Sequence, residues 1–133
     1  MKRILLITHG DLCHGLTSAM NIINGSSDGI DTISLTEKET IEDMMSKVSQ
    51  KLKEYAEGDI IIILTDIVIG TTTRCVFPLL DQKNIYLVSG VNLPMLLTFY
   101  LTDLGSDVYL SIQTMVEESK QTILFVNEQI NNQ

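Results

Sequence analysis

Apolar residues follow two rhythms along this chain, and the two alternate. The first rhythm is the short continuous run. Ile4, Leu5, Leu6 and Ile7 stand together within residues 2–8, and residues 59–66 read DIIIILTD. Runs of this length, apolar on both faces, predict strands inside a parallel sheet that is covered by helices. GIDTISL at 29–35 and NIYLVSG at 84–90 predict two more strands, and QTILFV at 121–126 predicts a short fifth one. The second rhythm is helical. Leu16, Ala19, Met20 and Ile23 recur at i, i+3, i+4, i+7 and form one face, which Asn24 and Gly25 bring to a stop. Ile41, Met44, Met45, Val48, Leu52 and Tyr55 form a second face, ended by Gly58. Thr36 with Glu39, or Thr40 with Asp43, has the capping-box spacing that would start this helix. Beyond a loop containing Gly70, a helix is predicted through Val76, Phe77, Leu79 and Leu80. Another opens at Asn92, Leu93 and Pro94, and a last one carries Val108, Ile112, Met115 and Val116. The polar NEQINNQ tail is expected to fray.

Strands that alternate with helices at short spacing predict an α/β fold, doubly wound around a mostly parallel sheet with right-handed crossovers. The expected strand order is 2-1-3-4, as in flavodoxin-like sheets. The length of 133 residues fits one domain, residues 1–133. Mean hydropathy is +0.20, yet no apolar run approaches the roughly 18 residues of a membrane span. The opening stretch is too short for a signal peptide. The expectation is a soluble, cytoplasmic protein. A formal charge of −8, from 17 acidic against 9 basic side chains, disfavours nucleic acid as a partner. It leaves room for small anions held locally by backbone N–H groups. Cys13 and Cys75 are too few for a disulfide scaffold and read as reduced thiols.

Ligands of open α/β sheets bind beyond the carboxyl ends of the strands, where the strand order reverses. With order 2-1-3-4 the reversal falls between strands 1 and 3. Strand 1 ends in Thr8 and His9, and strand 3 ends in Thr65 and Asp66. Neighbouring strands lie about 5 Å apart, so His9 and Asp66 can meet. A carboxylate bonded to one imidazole nitrogen fixes the tautomer and leaves the other nitrogen as a base or nucleophile. Gly10, Gly70, Thr71, Thr72 and Thr73 surround the pair with small residues and hydroxyls, next to helix starts that favour anions. Together these describe a histidine that accepts a phosphoryl group. Other readings stay open on the residues alone. The His-Gly pair equally suits a simple turn, with Asp66 as a helix cap. His9, His14, Cys13 and Asp11 are a loose set of metal-ligand types, and Cys13 is a nucleophile type without a clear partner. Asp66 occupies the place of a receiver-type phospho-accepting aspartate, but Thr8 and His9 stand where that chemistry needs an acidic pair.

The stretch LLITHGDLCHGLTSAMNIING resembles the start of enzyme IIA domains of the mannose family of the bacterial phosphoenolpyruvate-dependent sugar phosphotransferase system. SGVNLPMLL, beginning at Ser89, resembles the family's Gly-Val-Asn-x-Pro-Met-Leu signature. The resemblance covers nearly the whole chain. It implies a doubly wound fold and a homodimer that exchanges a C-terminal antiparallel strand, for which residues 121–126 are placed. It implies a phosphocarrier, with no metal and no cofactor. His9 would take a phosphoryl group from the phosphocarrier protein HPr and pass it to an enzyme IIB partner, oriented by Asp66. Thr8, Gly10, Gly70, Thr71 and Thr72 would bind the phosphate. The membrane would enter only indirectly, through the permease.

The family usually reads Asp-Thr-Trp-Gly-Gly-Ser-Pro after strand 3, whereas this chain reads Asp66-Ile67-Val68-Ile69-Gly70-Thr71-Thr72. A diverged subfamily or a regulatory use of the domain would explain the change. Rival readings are a phosphocarrier subunit of dihydroxyacetone kinase, a sensory domain of a transcription regulator, and a small tetrapyrrole metallochelatase. The last would want a second histidine late in the chain, and none follows His14. A histidine phosphatase would want arginine where Thr8 stands.

Overall fold

Four of the apolar runs assemble into one parallel sheet of order β2-β1-β3-β4 in a computed structural model that describes residues 1–131. The strands are β1 (Lys2–His9), β2 (Ile30–Leu35), β3 (Ile60–Thr65) and β4 (Ile85–Ser89). β1 pairs with β2 from Ile4↔Ile30 to His9↔Leu35, and with β3 from Lys2↔Ile60 to Ile7↔Thr65. β3 pairs with β4 from Ile61↔Ile85 to Thr65↔Ser89. The two central strands are the two most apolar, because both of their faces are covered. The chain steps from β1 outward to β2 and then back across to β3. Right-handed crossovers therefore place the two connecting helices on opposite faces.

Those helices are α1 (Leu12–Asn24) and α2 (Ile41–Leu52). α1 packs on β1 and β2 through Cys13, Leu16 and Met20. Its expected face breaks at Ile23, which is exposed in the last turn. Gly25 ends the helix in a left-handed conformation, with φ 77°. α2 covers the other face, where Met44 and Val48 join Leu5, Ile7, Ile33, Ile61, Ile63 and Ile85 in one buried cluster. Burying each aliphatic side chain of this kind is worth roughly 1.5–3 kcal/mol, and alternation along the strands puts every second one here.

Two compact units divide the chain: Met1–Leu93, which holds the whole sheet, and one that starts at Pro94. In the first unit, the helix predicted through Val76 and Leu80 is shorter than expected. α3 spans only Thr71–Arg74, and a separate 3-10 turn covers Phe77–Leu79. Pro78 explains the break, since it lacks an N–H and disfavours helical geometry in the residue before it. In the second unit, α4 (Leu93–Leu101) buries Met95, Leu96 and Phe99. α5 (Val108–Lys120) is capped by Asp107, whose carboxylate accepts the Leu110 N–H at 3.1 Å.

The fifth strand expected at residues 121–126 is not formed within this chain. Gln121 and Thr122 continue off α5 as a turn, with the Thr122 N–H donating to the Ser119 carbonyl at 3.1 Å. Residues 123–125 have no regular structure, and α6 (Val126–Asn131) follows where a fraying tail was expected, the last two residues of that tail lying outside the described residues. A strand exists only through a ladder partner, and among the described residues this segment has none. Among the same residues, no helix is long and apolar enough to cross a membrane.

Candidate active site

β1 runs past the end of its ladder with β3 while still paired to β2 at Leu35, so His9 stands beside the first residue after β3, Asp66. The backbone N–H of His9 donates to Asp66 Oδ2 at 2.8 Å, and His9 Nδ1 lies 2.8 Å from the same oxygen. The side chain of Asp66 thus adds a rung to the sheet where the backbone of β3 turns away. A carboxylate can only accept, so Nδ1 carries the proton and Nε2 of the neutral ring is left with its lone pair. The imidazole is 48% exposed and the carboxylate 9%. The ring is half exposed while its anchor is nearly enclosed.

Asp66 Oδ1 is held as firmly as Oδ2. It accepts the Ile67 N–H at 3.0 Å and the Thr72 hydroxyl at 2.9 Å. Burial pushes the carboxyl pKa up, but the bonds from the His9 amide, the His9 ring and Thr72 outweigh it. The net result is a group held below the ordinary aspartate value. Asp66 is therefore an anion wherever the protein is folded near neutral pH.

The loop that follows is tied down through hydroxyls. Thr73 Oγ1 donates to the Ile67 carbonyl at 2.6 Å and sits 2.7 Å from Thr65 Oγ1. The Thr65 hydroxyl in turn donates to Ser89 Oγ at 2.9 Å. The network spans the ends of β3 and β4 and the single turn of α3. Gly70 precedes α3 with φ 126°, a conformation that glycine alone adopts readily, and a Cβ there would stand 4.0 Å from His9 Cε1. Ile67, Val68 and Ile69 are all exposed on this loop.

The expected phosphate-binding residues fall into different places. Gly70 and Thr71, partly buried, lie at the start of α3. Gly10 turns the chain out of β1 with φ 54°, and its N–H is already given to the Leu35 carbonyl at 2.9 Å. Thr8 is fully buried, and its hydroxyl oxygen accepts the Cys13 N–H at 2.8 Å, which caps the first turn of α1. Thr72 is fully buried with its hydroxyl on Asp66. His14 stands apart in an exposed pair with Asp11, Nδ1 to Oδ1 at 3.6 Å. Among the described residues, no group of three or more His, Cys, Asp or Glu is placed to hold a metal ion. The roles of Thr65 and Ser89 escaped the sequence reading. The available signal was a hydroxyl residue at the carboxyl end of each of two neighbouring strands.

With this geometry in view, comparison with known proteins is informative. The family model described as "PTS system fructose IIA component" matches residues 3–116. No curated protein sequence matches the chain. Among solved structures, the phosphotransferase system component EIIA from Streptococcus agalactiae is similar, with TM-score 0.83 and 21% identity over 96% of this chain and 99% of that one. The mannose/sorbose specific IIA subunit from Enterococcus faecalis has TM-score 0.83 and 19% identity over 93% and 94% of the two chains. A sigma-54 interaction domain protein from Enterococcus faecalis shares the fold at TM-score 0.67 and 14% identity, over 92% and 96%.

Proposed function

Because the chain belongs to the phosphotransferase-system family of fructose- and mannose-type IIA components, we propose that it is a phosphocarrier whose reacting atom is Nε2 of His9. The observation that carries this reading is the double hold of Asp66 Oδ2 on His9, through the amide and through Nδ1, both at 2.8 Å. The donor is the phosphohistidine of HPr. Nε2 attacks phosphorus in line, a new N–P bond forms, the N–P bond of the donor breaks, and the donor imidazole leaves with the electron pair. Asp66 stabilises the positive charge that develops on the His9 ring. The leaving group is already good, so catalysis is mostly positioning and charge stabilisation. The phosphoryl oxygens are met by the Thr71 hydroxyl and by N–H groups at the start of α3. The group then passes to an enzyme IIB partner in the cytoplasm, for uptake of a sugar through a permease.

Residues 1–133 act as one IIA domain in this reading and work as a homodimer. The apolar residues Ile123, Leu124, Phe125 and Val126, all exposed in the single chain, support the second copy. The altered loop of Ile67, Val68 and Ile69 favours a second reading of the final acceptor. There His9 is phosphorylated in the same way, but the group serves a dihydroxyacetone kinase or a transcription regulator instead of a IIB component.

Incubation with phosphoenolpyruvate, enzyme I and HPr tests the chemistry. The protein should gain one acid-labile phosphate by mass. His9→Ala should abolish the gain and His14→Ala should leave most of it. A gain that depends on His14 alone removes the assignment. Adding IIB proteins to the phosphorylated form separates the two final acceptors.

A further inference from the structure

We propose that Thr72 is a positioning residue for the phosphoryl-accepting pair: its hydroxyl, on Asp66 Oδ1, holds the carboxylate in the plane that presents Oδ2 to His9. The inference rests on the reading of His9 given above. Both bonds from His9 converge on one oxygen, Oδ2. Two donors on one oxygen fix where that oxygen sits but leave the carboxylate free to pivot about it. The pivot is stopped at Oδ1. The Ile67 N–H there belongs to the adjoining peptide and moves with Asp66 itself. Among the described residues, only Thr72 reaches Oδ1 from another element, α3.

Thr72, in the first turn of α3, does not use its hydroxyl as threonines further along a helix do. Such hydroxyls ordinarily bond back to a carbonyl three or four residues earlier. Thr17, Thr98, Thr114 and Thr122 all do so in this chain, on His14, Pro94, Leu110 and Ser119. Thr72 gives its only proton to the carboxylate instead. Thr73 beside it gives a proton to the Ile67 carbonyl. The two consecutive residues clamp the side chain of Asp66 and the backbone that follows it. Thr72 is wholly buried, so water has no access to replace a missing hydroxyl, and a bond to an anion is about twice as strong as one between neutral groups.

The test compares Thr72→Val, which keeps the shape and removes the donor, with Thr72→Ser, which keeps the donor. Two quantities are read: the single-turnover rate of phosphoryl transfer from phosphorylated HPr, and the tautomer of His9 from long-range proton–nitrogen NMR correlations of the unphosphorylated protein. Thr72→Val should slow transfer about 10- to 100-fold, the scale on which removing the outer partner of a metal-ligating histidine acts. It should also shift the ring away from the Nδ1–H tautomer. Thr72→Ser should stay close to the parent in both. If both variants change only the melting temperature, with the tautomer and rate of Thr72→Val at parental values, the positioning role is overturned. Should Thr72→Val not fold, Thr72→Ala carries the same comparison. A parent protein that takes no phosphate on His9 overturns the proposed function, while the tautomer comparison still decides the role of Thr72.

Discussion

At the scale of single residues, the Asp66 carboxylate takes four bonds, two of them from His9, and is held as an anion. Asp66→Asn keeps the size but puts a neutral amide opposite Nδ1, and the amide nitrogen can itself donate and so favour the wrong tautomer. Transfer should slow by orders of magnitude, toward the ~10⁴ lost when the aspartate of a catalytic triad is neutralised. A folded Asp66→Asn protein with parental single-turnover rates would show that the two side chains do not cooperate. The same charge has a consequence for stability. The carboxyl is depressed in the folded state despite its burial, by its bonds from His9 and Thr72. Its contribution is therefore fully present above the unfolded aspartate value of about 3.9 and is lost as pH falls through the lower folded value. Denaturant titrations of the parent and Asp66→Asn at stepped pH should show a gap near neutrality that closes below about pH 4. A gap that widens in acid would contradict the sign.

At the scale of elements, α2 shows how a local signal becomes structure. Thr36 with Glu39 and Thr40 with Asp43 compete in the sequence for the helix start, and the structure uses both. Thr40 is the cap, accepting the Asp43 N–H at 3.2 Å and donating its own N–H to Asp43 Oδ2 at 2.9 Å. Thr36 and Glu39 form the preceding turn, in which Lys47 and Thr36 draw the Glu39 carboxyl down to about 2. Thr40→Ala should cost about 1 kcal/mol and lower the melting temperature by roughly 3–5 °C; an unchanged melting curve would mean the cap contributes nothing. The cap was legible because it needs only residues four apart or fewer, and the four parallel strands were legible because two-sided burial leaves an unbroken apolar run. His9 and Asp66 could be paired from sequence for a related reason: each falls at a strand end, and one rule about strand order makes those ends neighbours. Thr72 and Thr73 were visible only as small polar residues. Which atom a hydroxyl bonds is settled by the approach of another element, and no spacing in the sequence records that. Residues 121–126 mark the opposite limit. Their apolar, β-favouring composition is real, but composition does not state where a ladder partner is.

At the scale of the whole molecule, the question is what covers those residues. Ile123 is 76% exposed and Phe125 67%, and both outer edges of the sheet, β2 and β4, lack a ladder partner among the described residues. Pairing the segment with an edge of a second copy would bury both liabilities at once. Sedimentation should give a stable dimer of about twice the 14.8 kDa chain mass, and truncation after Lys120 should give monomers or aggregates. A full-length chain that sediments as a monomer at micromolar concentration would exclude the exchange and leave the chemistry of His9 untouched, since Asp66 comes from the same chain.

His9 and Asp66 are 57 positions apart and meet only because β1 and β3 lie side by side and parallel. Parallel neighbours cannot be joined by a tight turn, so β1 must be synthesised, and must wait, before β3 exists to receive it. At about 5–20 residues per second the wait is roughly 3–11 s. During that time the histidine is without the anion that settles its proton. The pair therefore cannot form before Asp66 is made, and a chain ending anywhere before it carries His9 with no carboxylate to orient it.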